Sequence, residues 1–295
     1  MGWGIPVPDD PSQNIYVWLD ALVSYLTAAD HWKGHTQIPC NILACFPAGY
    51  RPASTQKLYV HSHWLVNKAK MSKSTGNVID PFEAATTLTP DGLRYFLVRH
   101  GLPFEDINFT FLRAINAVNS DLVNNLGNLL HRACHSKLNP RQKYPGFDLE
   151  VMEHELKGAG EGLVLELKTL RERVGNHYNN LLFFRGLETI NETVKKANAF
   201  FNLQAPWNLK QGPEVYTVLF IVCETVRIAT ILLQPVVPDY ADKALSRLGM
   251  SKDERHLGTA VFGGGPTMKI YGRPLGKDIG VLMNRIDSRD STLFD

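Results

Sequence analysis

An apolar run extends from Val215 to Val237 and is long enough to cross a membrane as a helix. Glu224 and Arg227 interrupt this run with opposite charges. Charged side chains are rare inside membrane-spanning segments, because their burial in lipid is costly. The run therefore predicts the core helix of a globular helical domain, and no membrane is expected among the partners.

The composition is typical of a globular chain. Of its 295 residues, 44% are hydrophobic and 20% are charged, and this length is sufficient for two domains. The net charge is only +2, so a polyanionic partner must be met by a local basic patch. The four cysteines are scattered, and Cys40 and Cys45 are too far apart for a C-x-x-C pair, so neither a structural metal nor a disulfide framework is expected.

The character of the chain changes near residue 105. Before this point short apolar runs alternate with loops, which is typical of an α/β domain. Strands are predicted at Asn14–Trp18, Ile42–Phe46 and Lys57–His61. Two helices are predicted after them, the first capped by Asp80 and starting at Pro81, the second capped by Thr89 and ending at Gly101.

From residue 106 onward, apolar residues recur every three to four positions, which predicts amphipathic helices joined by short links. Helices are predicted from Thr110 to about Leu138 and over Leu163–Val174, Leu187–Phe201, Val215–Leu233 and Tyr240–Leu248. Residues 256–295 lack periodicity and are predicted to form an irregular tail that packs on the body, with a flexible linker at Gly263–Gly265. The expected fold class is α/β over residues 1–105, followed by an all-α bundle over residues 106–255.

The pentapeptide Lys70-Met71-Ser72-Lys73-Ser74 carries two lysines three residues apart on a predicted loop. Two ammonium groups at this spacing can converge on a triphosphate and stabilise the charge that develops on a pyrophosphate leaving group. A loop position also allows closure over a nucleotide. A solvated basic loop is the alternative for a K-x-x-K pair taken alone.

The whole pentapeptide resembles the second signature of class I aminoacyl-tRNA synthetases. Its flanks, V-H-S-H-W upstream and S-T-G-N-V-I-D-P downstream, resemble the organellar and bacterial branch of the methionyl-tRNA synthetase family. The resemblance implies that residues 1–105 are the C-terminal part of a Rossmann-like catalytic domain and that the bundle binds the anticodon. It also implies that Lys70 and Lys73 are catalytic and that ATP is bound by Lys70, Met71, Ser72, Lys73, Ser74 and His61.

A second segment, I-Y-V-W-L-D-A-L-V-S-Y at Ile15–Tyr25, is similar to the Y-V-W-x-D-A segment of that family. The resemblance implies that Trp18, Ala21 and Tyr25 form the pocket for the methionine side chain. Aromatic rings hold a polarizable thioether well. The alternative is a strand leading into a helix with an aromatic core, which is the more frequent meaning of a single aromatic cluster.

Two further matches lie in the predicted bundle. Within D-L-V-N-N-L-G-N-L-L-H-R, Asn124, Asn128 and Arg132 follow one another at spacings of four and share a helix face. Amide and guanidinium groups can read the edges of unstacked bases. The resemblance implies that these residues read the anticodon and that Pro206 and Trp207, in A-P-W, provide a stacking platform for one of its bases. A solvated polar stripe and a loop anchor are the alternatives.

The resemblance implies a methionine–tRNA ligase, which uses ATP to form methionyl-adenylate and then transfers the methionyl group to tRNA(Met). ATP is expected with Mg²⁺, L-methionine is the other small substrate, and DNA is not a partner. A monomer in the mitochondrial matrix is expected, or otherwise a cytoplasmic protein. The alternatives are a sibling class I synthetase and a non-catalytic tRNA-binding module.

The sequence also departs from the family. The H-I-G-H-type motif and the inserted connective domain are not present, and the interval between Tyr25 and Lys70 lacks the G-K-D segment. A doubly wound sheet binds its nucleotide between two halves, and catalysis depends on positioning as much as on the reacting groups. The expectation is therefore that this chain alone does not form methionyl-adenylate at a useful rate.

Overall fold

The computed structural model describes residues 5–7, 10–15, 62–264 and 270–287, and it divides into two compact units, Met1–Val60 and His61–Asp295. In the first unit, strands β1 (Ile5–Val7) and β2 (Asp10–Ile15) pair in an antiparallel ladder. The predicted strand at Asn14–Trp18 overlaps the end of β2. The other two predicted strands lie outside the described residues.

The second unit begins with a small mixed sheet. Strand β3 (Trp64–Val66) pairs antiparallel with β4 (Ala69–Lys70) and parallel with β5 (Ile107–Asn108). The two-residue turn between β3 and β4 has positive φ at both of its residues, 50° and 63°, which matches the twist of a tight hairpin. This hairpin places Lys70 at the end of a strand, at the entry to the K-M-S-K-S loop.

Two helices connect β3–β4 to β5, and both have the predicted ends. Helix α1 (Pro81–Leu88) is capped by Asp80, whose Oδ1 accepts the N–H of Phe82 at 2.7 Å. Helix α2 (Pro90–His100) is capped by Thr89, and Gly101 ends it. Both predictions are confirmed, because side-chain capping satisfies the first N–H groups of a helix using neighbours in the sequence alone.

The bundle follows. Its elements are α3 (Phe111–Val118), a π-helix (Asn119–Gly127), α4 (Asn128–Ala133), α5 (Leu149–His154), α6 (Ala159–Asn179), α7 (Phe183–Gln204), α8 (Pro213–Leu233) and α9 (Pro238–Arg247). The single helix predicted from Thr110 to about Leu138 is instead α3, the π-helix and α4 in succession, and it ends earlier. The short helix α5, capped by Asp148, was not predicted. The other helices are found where periodicity indicates them.

Helix α8 is the centre of the core. It is long and apolar enough to cross a membrane, but 94% of its most apolar window is buried inside the protein. Arg227 and Glu224 are fully buried and form a bidentate pair, with both N–O distances 2.7 Å. Although burial alone would lower the pKa of Arg227, the hydrogen bonds and charge of Glu224 raise it. The predicted core helix is confirmed.

The tail packs on the bundle, and Ala260, Ile270 and Leu282 are part of the main hydrophobic core. The predicted flexible linker at Gly263–Gly265 is wrong for its first two residues, which end a 3₁₀ turn, Phe262–Gly264. Gly263 has φ of +79°, in the left-handed region that glycine adopts without strain, and its N–H donates to Glu224 Oε2 at 2.7 Å. This turn is ordered because a buried carboxylate requires donors.

An ion pair links the tail to the turn after α9 and gives a pH-dependent contribution to stability. Arg273 Nη2 lies 2.7 Å from Glu254 Oε1, and Ser251 N–H and Oγ donate to Glu254 Oε2. The hydrogen bonds from Arg273, followed by those from Ser251, lower the pKa of Glu254 to about 2 from 4.5. Because the pKa is depressed in the folded state, this contribution is present above pH 4.5 and is lost as the pH falls towards 2.

We therefore expect Glu254→Gln to reduce the loss of unfolding free energy between pH 4.5 and 2, measured by urea denaturation. Asp253→Asn, an exposed neighbour, is the matched control and should keep the wild-type pH dependence. Equal pH dependence in wild type and Glu254→Gln would contradict the prediction.

Candidate functional site

The K-M-S-K-S loop is a compact turn organised by Asn77. The Oδ1 of Asn77 accepts the N–H of Ser72 at 2.8 Å and the hydroxyl of Thr75 at 2.7 Å. Its Nδ2 donates to the carbonyl of Lys70 at 3.1 Å. Asn77 was not predicted as a site residue, although its place after Gly76 in S-T-G-N is typical of a turn residue that bonds to nearby backbone.

The two lysines of the loop both point to solvent. Lys70 and Lys73 are exposed, and neither forms an ion pair with any residue in the described part of the chain. Met71 and Ser72 are half-buried, and the hydroxyls of Ser72 and Ser74 lie 2.7 Å apart. The loop therefore presents two exposed lysines on a backbone that is held in place by its own side chains.

The remaining residues predicted around the substrates lie outside the described residues. These are Trp18, Ala21 and Tyr25 of the methionine pocket and His61 near the nucleotide. No group of three metal-ligating side chains occurs within residues 62–264 and 270–287.

On the bundle, the structure brings together two distant sequence matches. Asn124 and Asn128 are exposed and Arg132 is half-buried along the same side of the π-helix and α4. The Arg132 guanidinium carbon lies 4.7 Å from the ring centre of Phe201 and 5.4 Å from that of Trp207. Arginine stacks well on aromatic faces, so Arg132 and Trp207 form one surface.

Trp207 projects from a 3₁₀ turn, Pro206–Asn208, that begins after Ala205 in a left-handed conformation. Pro206 is buried, whereas Trp207 remains 49% exposed and makes an edge contact with Phe201 at 6.0 Å between centroids. Half of the indole is thus free to contact another molecule. Pro206 anchors the turn, and about half of Trp207 stays exposed beside Arg132.

Two residues of this surface were not found from the sequence. Asn202 Oδ1 accepts a hydrogen bond from Arg132 Nη2 at 2.7 Å and so fixes the direction of the guanidinium. Arg285, in the tail, donates to Asn124 Oδ1 at 3.2 Å. Both pairs join residues far apart in the chain, so only the packing of α7 and of the tail against the bundle reveals them.

Comparisons with known proteins agree with this architecture. A family profile described as class I tRNA synthetases (M) matches residues 1–41 and 33–134. The mitochondrial methionine–tRNA ligases of Bos taurus and Homo sapiens are each 39% identical over 99% and 97% of this chain, and the methionine–tRNA ligase of Rickettsia prowazekii is 34% identical over 86%. The chain spans about half the length of these relatives, between 53% and 55%.

Among solved structures, Mycobacterium tuberculosis methionyl-tRNA synthetase in complex with methionyl-adenylate matches with a TM-score of 0.72 and 29% identity, over 92% of this chain and 58% of that one. The expected fold class, α/β followed by all-α, is confirmed. The fold and the family profile define a class I aminoacyl-tRNA synthetase architecture. Within that class, the chain belongs to the methionyl-tRNA synthetase family, which confirms the resemblance found in its motifs.

Proposed function

We propose that this chain takes part in methionine–tRNA ligation, in which methionine is activated by ATP to methionyl-adenylate and transferred to tRNA(Met). The curated relatives are named methionine–tRNA ligases, and the solved neighbour holds methionyl-adenylate. The observation that carries the proposal is the joint surface of Arg132 and Trp207, because it presents a base-stacking ring beside a hydrogen-bond donor.

In this proposal residues 1–105 belong to the catalytic domain, 106–255 bind the anticodon and 256–295 form the tail. Lys70 and Lys73 stabilise the negative charge on the departing pyrophosphate, since donors aimed at developing charge lower the barrier. Ser72 and Ser74 contribute hydroxyl groups, and Met71 contributes backbone, to the same nucleotide site. Mg²⁺ enters with ATP, bound mainly through phosphate oxygens and water.

The methionine side chain is proposed to contact Trp18, Ala21 and Tyr25, with His61 near the adenosine. On the bundle, Asn124 and Asn128 donate to or accept from the edges of anticodon bases, and Arg132 donates to them. Trp207 stacks on one base, on a turn held by the buried Pro206. Stacking of this kind is tolerant of base identity, so the amide and guanidinium groups provide the selection.

The mitochondrial matrix is the proposed compartment, because the relatives with the highest identity named above are mitochondrial ligases. A monomer is the proposed state.

Two assays on the purified chain test the function. Binding is measured with a tRNA(Met) transcript that carries the CAU anticodon and with a transcript whose first anticodon base is changed. Activation is measured as methionine-dependent exchange between ATP and pyrophosphate. Selective binding together with exchange supports the ligase, whereas selective binding without exchange supports a non-catalytic tRNA-binding module, and no selective binding contradicts both.

In a complete methionine–tRNA ligase that carries this segment, Lys73→Ala is expected to lower the exchange rate by about 10²–10³-fold, the usual effect of removing one donor to developing charge. Lys68→Ala is the matched control, since Lys68 is an exposed lysine on the same hairpin outside the signature. Unchanged exchange in Lys73→Ala would contradict the proposed catalytic role.

A further inference from the structure

The helix that carries the polar face of the bundle contains an unusual segment. The π-helix extends over nine residues, Asn119–Gly127, and at its end the N–H of Asn128 is directed to the carbonyl of Val123, five residues earlier. Such i→i+5 turns are rare, appear mostly as single turns inside α-helices and occur frequently at functional sites. A π-helix of this length therefore needs support from outside its own backbone.

Side chains from two neighbouring helices supply that support. The hydroxyl of Tyr240, on α9, donates to the carbonyl of Leu122 at 2.7 Å, and both residues are buried. Asn198, on α7, donates to the carbonyl of Asn125 at 3.2 Å and to its Oδ1 at 2.9 Å. Side chains of other helices thus bind two carbonyls within the π-helix.

Gly127 shows how closely this packing fits. A Cβ at this position would lie 2.8 Å from the carbonyl oxygen of Leu122 and 3.3 Å from the hydroxyl of Tyr240. The φ of Gly127 is −64°, so its backbone conformation would suit any residue. Glycine is required here for the close approach of Tyr240 and of the helix's own carbonyl, not for its conformational freedom.

The π-helix also changes which side chains face the same way. In an α-helix residues four apart are rotated by about 40° and residues eight apart by about 80°, because each residue advances the turn by about 100°. A π-helix has more residues in each turn and rotates less per residue, so it cancels part of this drift. The segment between Asn124 and Asn128 lies within the π-helix. The Asn124 side chain therefore leaves the helix in a direction closer to that of Arg132 than it would in an unbroken α-helix.

We propose that Tyr240 is a positioning residue for anticodon recognition: its hydroxyl holds the π-helix in the form that aligns Asn124 with Asn128 and Arg132. Tyr240 is buried beneath the helix and touches none of the bases itself. This inference rests on the proposed function, because the three aligned side chains matter only if they read a nucleic acid.

Tyr240→Phe removes the hydroxyl and keeps the ring that packs in the core. We expect its preference for the CAU transcript over the transcript with a changed first base, measured as a ratio of Kd values, to fall by about three- to tenfold, the effect of one lost hydrogen bond. Amide hydrogen exchange within 119–128 should become faster. Tyr178→Phe is the matched control, because Tyr178 also donates its hydroxyl to a helix carbonyl, that of Leu232, and should keep the wild-type ratio.

Three outcomes separate the possibilities. If Tyr240→Phe keeps the wild-type ratio while Trp207→Ala weakens tRNA binding, the inference is overturned and the proposed function stands. If Tyr240→Phe weakens the binding of both transcripts equally and lowers Tm, the role of Tyr240 is only structural and the inference is again overturned. If wild type does not distinguish the transcripts, the proposed function fails and the inference fails with it.

Discussion

Arg227→Met is expected to lower the free energy of unfolding by about 3–5 kcal/mol, the usual cost of leaving one member of a buried ion pair without its partner. Glu224 would remain fully buried beside Tyr144, whose hydroxyl lies 2.7 Å from Glu224 Oε1. Arg227 also donates to the carbonyls of Thr259 and Val261, so the variant would remove both of these bonds as well, although Val261 keeps the N–H of Gly264. Urea denaturation followed by circular dichroism measures the effect.

The matched control is Lys196→Met. Lys196 pairs with Glu166 at the surface and is itself largely exposed, so its removal should change the free energy of unfolding by less than about 1 kcal/mol. If Arg227→Met also lowers the free energy of unfolding by less than about 1 kcal/mol, the cost of desolvating the buried pair cancels its attraction. That result would contradict the prediction.

Trp207→Ala is expected to raise the Kd for the CAU transcript of tRNA(Met) by about 5- to 150-fold, which corresponds to the 1–3 kcal/mol of a base–aromatic stack. The variant removes the exposed ring and also one of the two aromatic faces that hold the Arg132 guanidinium. Filter binding or a mobility-shift assay at fixed salt measures it, since tRNA affinity depends on ionic strength.

Leu203→Ala is the control for this experiment. Leu203 is an exposed apolar residue near the end of α7, and its loss should leave tRNA binding within about twofold of wild type, as for a surface substitution of small effect. If Trp207→Ala destabilises the fold without weakening tRNA binding, Trp207 is a loop anchor and the anticodon proposal loses its stacking platform.

The ends of α1 and α2 could be predicted because their causes are local. The first N–H groups of each helix have no partner within the helix. Asp80 and Thr89 accept such groups through their side chains, and the proline that follows each of them has no N–H to satisfy. The core position of α8 could be predicted because a long apolar run must be covered on every side. The family could be recognised because K-M-S-K-S and its flanks are contiguous in the chain.

The π-helix could not be predicted from the same patterns. The apolar spacing of Leu122, Leu126 and Leu129 is satisfied by an ordinary helix, and the periodicity contains no sign of the i→i+5 turns. The turns depend on donors from α7 and α9, more than 70 residues away in the chain for Asn198 and more than 110 for Tyr240. Similarly, the sequence indicated a flexible linker at Gly263–Gly264. The Glu224 carboxylate that accepts the N–H of Gly263 lies on α8, far away in the chain, so the sequence could not reveal this contact.

By itself, the sequence determined the helix boundaries with local caps, the burial of the Val215–Leu233 helix and the family to which the chain belongs. The helix boundaries and the family motifs depend on residues that are neighbours in the chain. The burial of the helix follows from an apolar composition that is stable only in the protein core. The tertiary structure alone decided the form of the polar face: the π-helix, the stack of Arg132 on Trp207 and the contact of Arg285 with Asn124. These features arise from hydrogen bonds and ring contacts between distant segments, and such contacts exist only after the helices and the tail have packed together.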